Sequence, residues 1–190
     1  MAKSRQQQQQ QSEEAVESSQ ADLFENMDLP EQMRRSAEFS PCRRYRYALR
    51  REWGEGKPVV FIGLNPSTAD ERFDDPTIRR CIRFSQDWGF KRLVMANLFA
   101  FRATDPKVMK RQDDPIGPDN DRVLQQLAGE AGMLVAAWGV HGKHVQRDQA
   151  VRRMLPNLHC LKLTLNGMPA HPLYLPASSR PMRWESAESA

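Results

Sequence analysis

The chain has 190 residues, 39% hydrophobic and 27% charged, with a mean hydropathy of −0.70 and a formal net charge of +4. That length fits one ordinary domain with a tail, and the polarity predicts that part of the chain stays out of any core. No apolar run approaches the roughly 20 residues that span a bilayer, no secretory signal is expected at the N-terminus, and three scattered cysteines make neither a disulfide framework nor a CxxC zinc site.

A cytoplasmic protein with no membrane partner is therefore expected. The charge is unevenly spread. Residues 1–40 hold four basic and eight acidic side chains, a balance of −4, so residues 41–190, with 24 basic and 16 acidic, carry +8. Residues 1–40 include the run Gln6 to Gln11 and too few apolar side chains to offset the entropy of ordering, which predicts a disordered, Gln-rich acidic tail. Within it Leu23, Phe24, Met27 and Leu29 fit either a short docking helix or a solvated segment. A single domain is expected over residues 41–185, with a disordered C-terminus at 186–190.

From Arg43 the texture changes. Residues 45–50 (YRYALR) fit a strand, and Glu55-Gly56 fits a hairpin turn. Val59 to Leu64 is a short apolar run rich in β-branched residues, as in a strand buried on both faces. Asn65-Pro66-Ser67 ends it. Pro76 at a first-turn position opens a helix to Trp88, with Ile78, Cys81, Ile82 and Phe84 on one face and Gly89 at its end. Arg92 to Phe101 reads as a second buried strand running into a loop, and 119–131 as a helix with Val123, Leu124 and Leu127 inward. Met133 to Trp138 is a third strand closed by Gly139. Residues 142–155 form a third helix and Leu158 to Leu163 a fourth strand. Strands alternating with helices imply βαβ units and an α/β fold with a mainly parallel sheet covered on both faces.

Open α/β sheets bind ligands outside the carboxyl ends of their strands. Four polar or aromatic segments should meet there: GLNPSTAD, ANLFAFRATDP, AWGVHGKH and AHPLYLP. The first is neither a Walker A loop nor a GxGxxG fingerprint. Its Asn65, Ser67 and Thr68 can bond a ligand or water, or stabilise the turn itself. Asp70, Asp74 and Asp75 invite a metal-dependent hydrolase reading, although Asp75 before Pro76 reads better as an N-cap. Asn97, an amide at the end of an apolar strand, needs a partner: a base edge or a neighbouring loop. Phe99 and Phe101 alternate, so one of them should face the cleft, which suits either stacking on a planar ring or plain packing. Arg102 offers a fixed positive charge for phosphate. His141 and His144 lack a further ligand, so no metal site is assigned. Lys143, Arg147, Arg152 and Arg153 form either a solvated face or one suited to a polyanion. His171 is held between Pro169 and Pro172, which fix its backbone.

The run FIGLNPSTAD, with DDPTIRRC, ANLFAFRATDP, WG and the segment through His171-Pro172-Leu173, resembles the bacterial and phage domain-of-unknown-function family numbered sixteen forty-three, over about Tyr45 to Trp184. More distantly, the order of motifs is similar to the uracil-DNA glycosylase superfamily. That resemblance implies a three-layer α/β/α fold with a short, mainly parallel central sheet. It also implies that Asn65 orients the attacking water or contacts the base, Asn97 reads the base edge, Phe99 or Phe101 stacks, and His171 stabilises the departing base. Leu173 stands where those relatives have Ser, and Ser67 where they have Gly; three cysteines do not match the four that hold an iron–sulfur cluster in thermostable relatives, so no cofactor is expected.

The resulting expectation is a glycosylase-like protein acting on nucleic acid, DNA above all, or on nucleotides. Asn65 and His171 are its catalytic residues. Ser67, Thr68, Asn97, Phe99, Phe101 and Arg102 bind the ligand, and Lys143 and Arg147 contact the nucleic-acid backbone. A non-catalytic nucleic-acid- or nucleotide-binding module, and the metal-dependent hydrolase, are the alternatives.

Overall fold

The computed structural model of the protein describes residues 30, 32–155 and 157–184. Its centre is a seven-stranded mixed sheet of order β1-β2-β4-β3-β5-β6-β7. The strands are β1 (Arg34–Phe39), β2 (Arg46–Glu52), β3 (Val59–Gly63), β4 (Arg92–Asn97), β5 (Met133–Ala136), β6 (Leu158–Cys160) and β7 (Met182–Arg183). The helices are α1 (Pro76–Asp87), α2 (Pro106–Lys110), α3 (Asn120–Glu130) and α4 (Arg147–Met154).

Strands β4, β3, β5 and β6 pair in parallel, as alternating strands and helices require, while the β1–β2, β2–β4 and β6–β7 pairings are antiparallel. The parallel reading therefore holds for the centre and not for the edges. Every residue of β3 is buried. Because side chains alternate across a strand, Val60 and Ile62 enter one core with Val123, Leu124 and Leu127 of α3 and Val151 of α4. Val59 and Phe61 enter the other, with Ile78, Cys81, Ile82 and Phe84 of α1. Trp88 closes the second core, stacking on Phe61 at 5.7 Å and on Phe84 at 5.4 Å. Full burial of each such side chain is worth roughly 1.5–3 kcal/mol.

Helix α1 begins where the sequence places it. The Asp75 carboxylate accepts from Ile78 N–H at 2.9 Å, and Pro76 occupies the first turn, where a missing N–H costs nothing. Gly89, at φ +81°, turns the chain out of the helix.

Three expectations need correction. Residues 34–39, assigned to the disordered tail, form β1, an edge strand that pairs with β2 from Arg34 opposite Glu52. Its first three residues are exposed, so it carries no apolar signature. Glu55-Gly56 is not a hairpin turn, because β4 inserts between β2 and β3 and the two are not partners. The third helix splits: a 3-10 segment over Val140–Gln146 precedes α4, with Val145 and Gln146 in the left-handed region. Leu23, Phe24, Met27, Leu29 and residues 186–190 lie outside the described residues. Among the described residues no helix is long and apolar enough to cross a membrane.

Candidate functional site

A cavity of about 490 Å³ opens at the carboxyl ends of β3, β4 and β5, on the face of the sheet that α1 covers. Ligand cavities typically measure about 300–1,000 Å³. Gly63, Met95, Asn97 and Ala137 line it from the strand ends, and Asp75, Thr77 and Ile78 from the start of α1. Asn65 with Ser67, Thr104, His141, and His171 with Pro172 and Tyr174 line it from four further segments.

Asn65, Asn97 and His171 are thus brought to one cavity from three separate segments. Asn65 Nδ2 donates to Ala103 O at 2.7 Å and to Pro66 O at 3.2 Å. Two carbonyls need a donor between them, which fixes the amide and leaves Oδ1 as its acceptor. Asn97 is only 3% exposed, and its Nδ2 has no hydrogen-bond partner among the described residues. A buried amide without a partner is costly. Gly63 lies directly beside it: a Cβ built there stands 2.9 Å from Asn97 Oδ1.

His171 precedes a 3-10 turn over Pro172–Tyr174, and its Nδ1 accepts from Leu173 N–H at 3.4 Å. That bond requires the neutral ring to carry its proton on Nε2. Burial lowers the imidazole pKa below the ordinary 6.5, with the nearby Asp75 charge partly opposing the shift. At neutral pH His171 is therefore an uncharged donor. Tyr174, 63% exposed, tilts against its ring at 5.7 Å.

Several expected site residues lie elsewhere. Phe99 is fully buried in the core opposite the cavity and packs on His144 at 5.6 Å. Phe101 meets Tyr45 edge-on at 5.9 Å and lies under Arg44. Neither lines the cavity, because strand alternation stops at Asn97: Leu98, Phe99 and Ala100 are consecutive yet share one core. Arg102 turns away toward Phe39 and the carbonyl of Arg43. Thr68 is exposed beside the cavity rather than in its wall. Arg147 is buried, donating to Leu98 O at 2.9 Å and pairing with Asp121, so it does not present its charge to a backbone. Lys143 is exposed and lies outside the cavity wall, while Arg152 covers Trp184 at 4.1 Å.

The carboxylates of the metal reading have other partners. Asp70 accepts from the N–H groups of Arg72 and Phe73, and Asp74 pairs with Arg51 at 2.7 Å and with Arg35. Among the described residues no three His, Cys, Asp or Glu side chains are grouped to hold a metal ion.

Arg46 was not among the expected site residues, yet it lines the cavity at 2% exposure. Inside YRYALR it reads as an ordinary strand residue. Tyr47 and Ala48 are neighbours that enter the same core, and this break in alternation is not visible in the sequence. Tyr174 was likewise missed as the aromatic of the cavity, since its position depends on the 3-10 turn after His171.

Residues 46–173 match the family described as "Protein of unknown function (DUF1643)", and the chain belongs to that family. No curated protein and no solved structure matches it.

Proposed function

We propose that this protein is a uracil-DNA glycosylase-like enzyme of three-layer α/β/α build that hydrolyses an N-glycosidic bond in nucleic acid or in a nucleotide. The observation that carries the reading is the convergence of Asn65, Asn97 and His171 on one cavity at the carboxyl ends of parallel strands.

Each group has a role that its bonding leaves open. Asn65 Oδ1 accepts a hydrogen bond from water and aims its oxygen at the anomeric carbon. The glycosidic C–N bond breaks as the new C–O bond forms, and its electron pair leaves with the base. Asn97 Nδ2 donates to a carbonyl on the base edge, and neutral His171 donates from Nε2 to the negative charge growing there. Donors placed in advance where charge develops are the strongest single aid to such a step. The proton lost by water ends on the released base, so the products are the free base and the sugar hydroxyl. A base within a duplex would first have to be extruded into the cavity. Tyr174 at the mouth supplies the planar surface first expected of Phe99 or Phe101.

A second reading, a non-catalytic binding module, rests on Asn65: both of its amide donor contacts hold a loop. One experiment separates the two. The protein is incubated with uracil-, hypoxanthine- and modified-base DNA, and with nucleosides and nucleotides, and free base is measured by chromatography. Base release supports the enzyme. Tight, salt-sensitive binding without release supports the module.

A further inference from the structure

Strand β2 carries two buried arginines whose surroundings differ. Arg51, 0% exposed, is fully compensated: Nε meets Asp74 at 2.7 Å, Nη1 meets Arg50 O at 2.8 Å and Nη2 meets Asp70 O at 2.5 Å. Arg46 is 2% exposed, and its side chain bonds only the carbonyl of Ala69, through Nη1. Its Nε is buried without a partner, and among the described residues it forms no ion pair. Of the two, only Arg46 lines the cavity.

A buried charge outside an ion pair is unfavourable: burial pulls this guanidinium down to about 10, and the Asp75 carboxylate offsets only part of that. Asp75 also lines the cavity, but one of its oxygens is spent on the Ile78 N–H and it makes no ion pair with Arg46. The unpartnered Nδ2 of Asn97 adds a second donor to the same wall. This side of the cavity therefore offers donors and positive charge to an acceptor-rich, anionic group. A phosphate monoester fits best: it carries about two negative charges and three acceptor oxygens for a guanidinium donor.

We propose that Arg46 is the phosphate-binding residue of this cavity, and that the substrate class is a nucleotide with a terminal phosphate rather than a bare nucleoside. The inference rests on the nucleotide reading above and narrows it. The phosphate can come from a free mononucleotide or from the end of a strand.

The test is calorimetric titration of the full chain with inorganic phosphate, with a nucleoside and its 5′-monophosphate, and with an oligonucleotide carrying or lacking a 5′-phosphate. Wild type is expected to bind the monophosphate about tenfold or more tightly than the nucleoside, with inorganic phosphate competing. Arg46→Met should abolish the preference and Arg46→Lys should keep part of it, both checked for folding by thermal melting. Preference for the phosphorylated oligonucleotide over the mononucleotide would assign the site to strand ends. Equal binding of nucleoside and monophosphate to wild type overturns the proposal without any variant, and so does a preference that survives in folded Arg46→Met. Base release with no phosphate preference would sink this inference alone. Phosphate preference without base release would sink the glycosylase reading alone.

Discussion

Replacing Gly63 by alanine separates the cavity from the fold. The new Cβ would stand 2.9 Å from Asn97 Oδ1 and 3.5 Å from Met95 Sδ. Ordinary contact begins near 3.4 Å, so Asn97 must yield by about 0.5 Å while Met95 need not move. The obstructing atom is the end of a side chain that makes no amide hydrogen bond among the described residues, so the fold can absorb the change. Stability should fall by no more than about 1 kcal/mol, or about 2–4 °C in melting temperature for a chain of this size. The ligand meets the full displacement. Shifting the Asn97 amide by that distance removes most of a hydrogen bond worth about 0.5–1.5 kcal/mol, which weakens binding and kcat/KM by about three- to tenfold. Thermal melting and titration with the best substrate give the two readouts. Wild-type affinity alongside a large loss of melting temperature would reverse the expected split and refute the role of Asn97 in the cavity.

The folded pKa of His171 lies below its unfolded value, so the group leaves stability untouched at neutral pH and destabilises the protein as pH falls below 6.5, where only the unfolded chain takes up the proton; His171→Gln should lose less stability than wild type between pH 7 and pH 5 in denaturant titrations. Asp74→Ala strands the fully buried Arg51 without its carboxylate and should cost about 3–5 kcal/mol, whereas a stable but inactive variant would favour a metal ligand at Asp74. Cys42 is exposed, with its thiol pKa lowered chiefly by the Ser40 hydroxyl, while burial pushes the Cys81 thiol well up and the Cys160 thiol up. Mass spectrometry after brief alkylation should therefore find Cys42 modified first, and Cys81 and Cys160 only after unfolding.

The sequence is most informative where structure is local. The β-branched run at Val59, the Asp75-Pro76 start and the apolar face of α1 each rest on contacts within a few residues, and each element forms as read. The convergence of Asn65, Asn97 and His171 follows from topology, because parallel strands carry their loops to one edge. What escapes the sequence depends on distant partners. The polar strand β1 exists through its pairing with β2, and β4 separates β2 from β3 although the short link between those two invites a hairpin. Phe99 leaves the cavity because the chain after Asn97 pairs with Pro115 and Ile116. Arg46 enters it through a break in strand alternation. Arg147 is buried against Leu98 and Asp121, which no count of positive charge reveals.

The most direct test of the cavity as an N-glycosidic centre is the rate of free-base release by wild type and by Asn65→Ala, Asn97→Ala and His171→Ala, each verified as folded. Wild type should release free base, with a fall of about a hundredfold or more on losing the His171 donor or the Asn65 acceptor and a smaller fall for Asn97→Ala. No release by wild type from any nucleic acid, nucleoside or nucleotide tried, or release undiminished in all three variants, would contradict the N-glycosidic reading.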